Sequence, residues 1–374
     1  LAEHLAFGAN ARYKDEQSYE AEFTKNGAYH NAWTSDFSVC YEAECADFEW
    51  DRILDLQQIA ICQPKFNETE MLSEKGNVKA ELTGYMNDYF RLIWPKIQRN
   101  IGEGAPLALK DRMKTLNNIT LKDLREHHRR THTANNMRFV ISGNLKSRKK
   151  DIITQLESWP IKPGTRLDIP SDNLHKSAPS LIRRKDASNL NFGFTWVLPR
   201  RLETEELVAM DCLNQILTGS MYSRIFGKAR RRGLIYGMGS TTAVSPNSSS
   251  WDFDGEVNLE SAGQLFDLVN KELNEVLLNQ LSESEIESTK THVLGRYYIG
   301  VQTVNQISEY YATSFFNNEI VIPHKNIPNF IANTDKTAIV NLAREFIDAK
   351  ISNLVVVGAT EKSFVNSLAN NLEL

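Results

Sequence analysis

Phe37-Ser38-Val39-Cys40-Tyr41-Glu42-Ala43-Glu44 alternates in polarity as a half-buried β-strand does, and Phe253-Asp254-Gly255-Glu256-Val257-Asn258-Leu259 repeats that alternation 216 positions later. A helical stretch follows each, and then a helix start with the same capping chemistry. In the first half it reads Phe66-Asn67-Glu68-Thr69-Glu70-Met71, and in the second Leu281-Ser282-Glu283-Ser284-Glu285-Ile286. Both place a capping residue three before a glutamate with apolar residues on either side, now at an offset of 215. Each half closes on a run ending in glycine, Asn136 to Gly143 and Asn353 to Gly358, and a helix follows. Three landmarks at nearly constant offset predict two copies of one unit. The expected fold class is α+β: two tandem homologous domains, each a mixed, mainly antiparallel sheet packed with helices. The expected boundaries are 1–160 and 180–374. The joint at 161–179 is marked by Pro160, Pro163, Pro170 and Pro179 among few apolar residues.

Composition agrees with two domains, since 374 residues exceed one ordinary core. The net charge of −4 is spread over interspersed acids and bases, so there is no electrostatic reason to expect nucleic acid or anionic membrane as a partner. The short basic runs Arg129-Arg130, Lys146 to Lys150 and Arg230 to Arg232 read as solvated faces. The longest clean apolar run, Leu354 to Val357, is far too short to cross a bilayer. Of the four cysteines, none forms a Cys-x-x-Cys pair. Cys40 and Cys45, placed in one predicted strand at odd separation, point to opposite faces. Reduced thiols in a reducing compartment follow, and with them a cytoplasmic location. The chain has no initiator Met, and Leu1 to Leu5 read as helix interior without a cap. Upstream sequence is therefore expected, and a removed targeting segment stays open.

The opening residues are Leu1-Ala2-Glu3-His4-Leu5. Glu3-His4 is the back half of the inverted zinc motif His-x-x-Glu-His, which requires a histidine directly before Leu1. Two histidines at i and i+4 share one helix face, so both imidazoles reach one metal. The glutamate between them lies on the same face and takes a proton from zinc-bound water, whose pKa the metal lowers to about 7. A further protein ligand is needed. Glu74 and Glu81, seven apart on the helix after Asn67, share a face about 10.5 Å apart along the axis; one can bind metal while the other orients its ligands.

The chain resembles the pitrilysin/insulinase/mitochondrial processing peptidase family of zinc metallopeptidases over essentially its whole length. In that family a glutamate ligand follows the motif by 75 to 80 residues, with a second functional glutamate seven before it. Here Glu81 lies 77 after His4, and Glu74 seven before Glu81. The family's Gly-x-x-x-Asn-Ala-x-Thr strand matches Gly27 to Thr34, and its Gly-Leu-x-Tyr matches Gly233-Leu234-Ile235-Tyr236. The resemblance implies His4 and Glu81 as ligands of one Zn2+ per chain, and Glu3 as general base with Glu74 supporting the site. It further implies Asn31 and Ala32 on an edge strand that pairs with substrate, and Tyr236 contacting the substrate from the opposite domain. The family's arginine seven before that tyrosine is replaced by Ala229, leaving Arg230 beside it as the candidate. The implied activity is zinc-dependent endopeptidase cleavage of extended peptides or unfolded segments, within one chain or in a homodimer or heterodimer with a related subunit. The alternative is a non-catalytic relative serving as a peptide-binding or assembly subunit. Adding 215 to His4, Glu74 and Glu81 gives Gly219, Thr289 and Arg296, so the second copy has lost the metal residues.

Other signals carry less. His128 and His132 have metal-like spacing but no glutamate at position 131. His30 reads as exposed packing beside the edge strand. Ser220 and Ser223 have no neighbouring base, and Gly237-Met238-Gly239 lacks the strand–turn–helix context of a nucleotide loop. Tyr297-Tyr298 and Tyr310-Tyr311 read as core or interface packing.

Overall fold

Strand β1 (Tyr29–Thr34) and strand β2 (Val39–Glu44) form an antiparallel hairpin in which Ala32 lies opposite Tyr41. Its turn is closed by Ser35 N–H donating to the Ser38 carbonyl (2.8 Å) and by a contact of their hydroxyls (2.8 Å). The structure is a computed structural model and describes residues 1–102, 106–170, 173–318 and 321–372. Ser171 and Asp172, within the expected linker, lie outside the described residues.

The second half adds β3 (Ser180–Arg183), β4 (Leu190–Leu198), β5 (Ile235–Val244), β6 (Ser249–Val257) and β7 (Ser352–Gly358) in one sheet of order β3-β7-β4-β6-β5. Only the β3–β7 pair is parallel, so this sheet is mixed and mainly antiparallel. Alternation puts Phe192, Phe194, Trp196, Trp251 and Phe253 on one face, where they are buried with residues of the helices Thr204–Leu217, Leu259–Leu277 and Lys336–Asp348. The Phe194 and Phe253 rings stack at 4.7 Å. The β5–β6 turn repeats the first hairpin's chemistry. Ser245 N–H donates to the Ser248 carbonyl at 2.9 Å and the two hydroxyls meet at 2.7 Å.

The chain divides into two compact units that are not contiguous in sequence. One comprises Leu1–Gly84, Leu107–Ile169 and Thr303–Glu319; the other comprises Tyr85–Pro106, Pro170–Gln302 and Ile320–Leu374. Each unit thus takes one helix from the other half of the sequence: Tyr89–Ile101 belongs to the second unit and Val304–Asn318 to the first. The two helices begin 215 residues apart, so the exchange is reciprocal and follows the repeat. Within the second unit, Ile93, Ile97 and Ile101 are buried against Val197, Val355 and Val357, on the sheet face opposite the aromatic core. Gly193 makes this approach feasible, because a Cβ there would stand 2.5 Å from Ile93 Cγ2. Within the first unit, Arg138 lies 5.5 Å over the Phe315 ring.

The shared capping chemistry is present in both halves. Asn67 accepts from Glu70 N–H (2.9 Å), and the Glu70 carboxylate accepts from Ala9 N–H (3.0 and 3.1 Å). Ser282 and Glu285 form the matching box, and Glu285 receives Arg224 Nε at 2.7 Å and Nη2 at 2.8 Å. Ala9 and Arg224 are themselves 215 apart, so the same glutamate ties down the same chain segment in each copy.

Several local expectations differ from what is observed. Asn136 to Gly143 forms no ladder: a 3-10 turn at Ala134–Asn136 leads into irregular chain. Its counterpart β7 is flanked by β3 and β4, whereas among the described residues Asn136 to Gly143 pairs with no strand. A strand without a neighbour has nowhere to spend its backbone hydrogen bonds. Leu1 to Leu5 is not the interior of a helix. It leads into a single 3-10 turn, His4–Phe7, that stops at Gly8. Cys45 lies beyond the end of β2, and all four cysteines are free thiols. Tyr298 is exposed.

Candidate active site

The opening segment is fixed from both sides. Leu5 and Ala6 are buried, Leu5 among Phe66, Met71 and Leu124. Three residues later Glu70 grips Ala9, with Gly8 so close that a Cβ would lie 2.6 Å from Glu70 Oε2. Glu3 and His4 are thereby placed beside the helix Glu68–Tyr85, which carries Glu74 and Glu81.

His4 Nδ1 lies 2.9 Å from Glu74 Oε2. A carboxylate only accepts, so Nδ1 carries a proton, and in the neutral imidazole it is Nε2 that offers a lone pair to a metal. Glu74 Oε1 in turn accepts from Asn77 Nδ2 at 2.8 Å. Glu81 is exposed. Glu16 joins the group: burial pushes its carboxyl above the usual range, Glu74, Glu70 and Glu20 add to that, and His4 opposes it. Sequence reasoning passed over Glu16, whose only local signal is its place in the first turn of a helix capped by Asp15.

Glu3 points toward the hairpin. Thr34 Oγ1, at the end of β1, donates to Glu3 Oε2 at 2.8 Å. Tyr41 on β2 lies within electrostatic reach of Glu3; burial holds its phenol well above the ordinary value and Glu3 adds to that. Tyr41 O–H donates to His132 Nε2 at 3.0 Å, while His132 Nδ1 meets Thr131 Oγ1 at 2.9 Å. Burial, reinforced by His128 and His127, drives His132 down to about 3, so its ring is neutral and its role is to receive Tyr41. Among the described residues β1 pairs on one side only, with β2, which leaves its other edge for an added strand. Asn31 is exposed and Ala32 half-buried on that edge. His30 is not exposed packing. Its ring stacks 4.0 Å from Phe23, and its Nε2 lies 2.7 Å from Glu20 Oε2.

In the second unit, the β5–β6 register shifts between Ile235 and Gly237, so Tyr236 has no ladder partner. The bulge turns its side chain outward, 81% exposed. Ala229 is fully buried, whereas the Arg230 guanidinium lies 4.3 Å over the Tyr236 ring and Nη1 donates to the Tyr236 carbonyl at 3.3 Å. Arg230, one position later in sequence, therefore stands at the tyrosine.

Two family models match the chain. One, described as Insulinase (Peptidase family M16), covers residues 1–109, and the other, Peptidase M16 inactive domain, covers residues 118–293. The chain belongs to the M16 peptidase family. The match of one M16 model to the start of the chain and of the other through most of its middle agrees with two tandem domains of mixed α+β structure. A Bacillus subtilis (strain 168) protein named "Uncharacterized zinc protease YmxG" is 24% identical over 312 residues, covering 81% of this chain and 74% of that protein. In fold, this M16 chain is similar to a protease from Helicobacter pylori (TM-score 0.80, 16% identity, covering 95% of this chain and 88% of that one). It is equally similar to a peptidase M16 inactive domain from Pseudomonas fluorescens (TM-score 0.81, 16% identity, covering 96% and 88%). No described helix is long and apolar enough to cross a membrane.

The donors present suit zinc in kind. His4 offers imidazole Nε2 with its other nitrogen held by a carboxylate, the arrangement that fixes the orientation of zinc-bound histidines. Glu81 offers a carboxylate. In number they fall short of the three protein ligands of a catalytic site, and no group of three such residues stands together among the described residues.

Proposed function

We propose that the protein is a zinc-dependent endopeptidase that hydrolyses extended peptides or unfolded segments. The observation that carries this reading is the His4–Glu74 contact of 2.9 Å, which sets the imidazole in the metal-binding tautomer on a helix that also bears Glu81. His4 and Glu81 would hold the metal together with a histidine preceding Leu1, the residue that the inverted motif requires. Bound zinc supplies acidification of a water molecule and polarisation of the scissile carbonyl. Glu3 accepts the proton of the attacking water and delivers it to the leaving amine. Glu74 keeps the His4 ring from rotating. The free edge of β1, at Asn31 and Ala32, pairs with the substrate main chain, giving affinity without a fixed sequence. Tyr236 and Arg230 are the second domain's contribution to substrate binding, with the Tyr236 hydroxyl a donor for developing oxyanion charge.

The test is Glu3→Gln in the full-length protein, read by metal analysis and peptide cleavage. About one zinc per chain should be retained, and hydrolysis should fall by about 10²- to 10⁴-fold, the range for a lost general base. Undiminished cleavage would place the base elsewhere, and lost zinc would make Glu3 a ligand. A parent protein that binds extended peptides and leaves them intact would establish the binding-subunit reading instead.

A further inference from the structure

We propose that Thr34 is a positioning residue for the peptidase reaction: its hydroxyl orients the Glu3 carboxylate, and it does so most strongly when a peptide strand lies on β1. This rests on Glu3 acting as the base. The geometry behind it is direct. Thr34 Oγ1 donates to Glu3 Oε2 at 2.8 Å, across 31 residues of sequence. Thr34 is the last residue of β1 and shares a strand face with Ala32, two residues before it.

Glu3 needs such a restraint. It precedes a single 3-10 turn of four residues, and its side chain makes no capping bond to that turn. A glutamate side chain has three rotatable bonds, and a short turn fixes none of them. Threonine is suited to the task, because its β-branched side chain is stiff about the first torsion and extended backbone narrows it further. With Oε2 held, Oε1 remains the oxygen that meets the water's proton.

The coupling to substrate follows from exposure. Thr34 is exposed and Glu3 half-buried, so in the open site water competes for the hydroxyl and reaches the carboxylate. A strand added along β1 ends beside Thr34 and displaces that water. In the drier surroundings the same hydrogen bond strengthens. The bond therefore gains between free enzyme and bound complex, and its loss is felt in turnover rather than in affinity.

Thr34→Val keeps the shape and the β-branch and removes the hydroxyl; Thr34→Ser keeps the hydroxyl. Full-length, zinc-loaded protein with each change is assayed on a peptide long enough to span β1, with zinc content and melting temperature measured in parallel. Thr34→Val should lower kcat by about 10- to 100-fold, the scale on which groups supporting an active-site residue act, with KM, zinc content and melting temperature unchanged. Thr34→Ser should restore kcat to within about threefold. In the Glu3→Gln background Thr34→Val should add nothing, since the group it orients is already disabled. A kcat unaffected by Thr34→Val, or an equal loss in both backgrounds, overturns the assignment while leaving Glu3 as base. Cleavage that survives Glu3→Gln overturns both readings.

Discussion

Replacing His132 with glutamine isolates the largest depression of a histidine pKa in the first unit. The ring sits between Tyr41 O–H and Thr131 Oγ1 and stacks on His128 at 4.1 Å between centroids. Burial first, then repulsion from His128 and His127, holds it down at about 3. The unfolded chain returns it to about 6.5. Because the folded value is the lower one, the stabilisation is complete above pH 6.5. It drains away as pH falls toward 3, the unfolded chain binding a proton that the native state refuses. Between pH 6.5 and 4.5 that is about two pH units at about 1.4 kcal/mol each, or about 3 kcal/mol at most. Partial exposure of the ring and relaxation around it bring the expected figure to about 1–2 kcal/mol. Glutamine bridges the same two partners and does not titrate. Urea unfolding followed by far-ultraviolet circular dichroism, at pH 7.5 and at pH 4.5, gives four free energies. The parent should lose about 1–2 kcal/mol more than His132→Gln on acidification. Glu285, which Arg224 holds at about 2, weakens the fold at still lower pH in both proteins and cancels in the difference. Equal losses in parent and variant would refute the claim that His132 is neutral and buried in the folded state.

Ile93→Ala, although in the first half of the sequence, should destabilise the second unit by about 2–4 kcal/mol, the cost of truncating a fully buried isoleucine. Hydrogen exchange should show the added opening in β4 and β7, and opening confined to residues 1–84 would contradict the exchange of helices. Tyr236→Phe keeps the ring under Arg230 and removes only the hydroxyl, so kcat on a peptide should fall at least about tenfold with zinc content unchanged; turnover equal to the parent's would remove Tyr236 from the reaction.

What was legible in the sequence was whatever rests on local chemistry. Capping is local, and the two boxes at Asn67–Glu70 and Ser282–Glu285 stand where the pattern places them. Strand alternation is also local, and β1 spans Tyr29–Thr34 as the motif implies. What a segment packs against is not local. Helix Tyr89–Ile101 shows an apolar face in its sequence, yet nothing in that face names β4 and β7 as the surface it covers. Asn136 to Gly143 has strand composition, but a strand exists only with a partner, and among the described residues it pairs with none. The bulge at Tyr236 adds one residue to a ladder and leaves no mark that periodicity can detect. The hairpin turns were a missed signal. Ser35 to Ser38 and Ser245 to Ser248 share a Ser-x-x-Ser pattern at an offset of 210, so β2 matches β6 at 210 and not at the 216 read from Phe37 and Phe253, Phe37 itself lying in the turn; the repeat changes length between hairpin and helix.

The two copies diverge in chemistry at the segment that each capping glutamate holds. In the first, Glu70 takes a backbone N–H directly, which is feasible only because residue 8 is glycine. The chain is clamped at its main chain close to His4 and Glu3, which contact Glu74 and Thr34. In the second, Glu285 takes the long side chain of Arg224 instead. Beside it Met221 and Tyr222 project, Tyr222 being 93% exposed. A main-chain clamp suits chemistry, which needs donors held within a few tenths of an ångström. A side-chain tether suits a surface that presents apolar groups. With Thr289 buried at the position matching Glu74, the second copy keeps the fold and the clamp's glutamate without the first copy's His4–Glu74 pair.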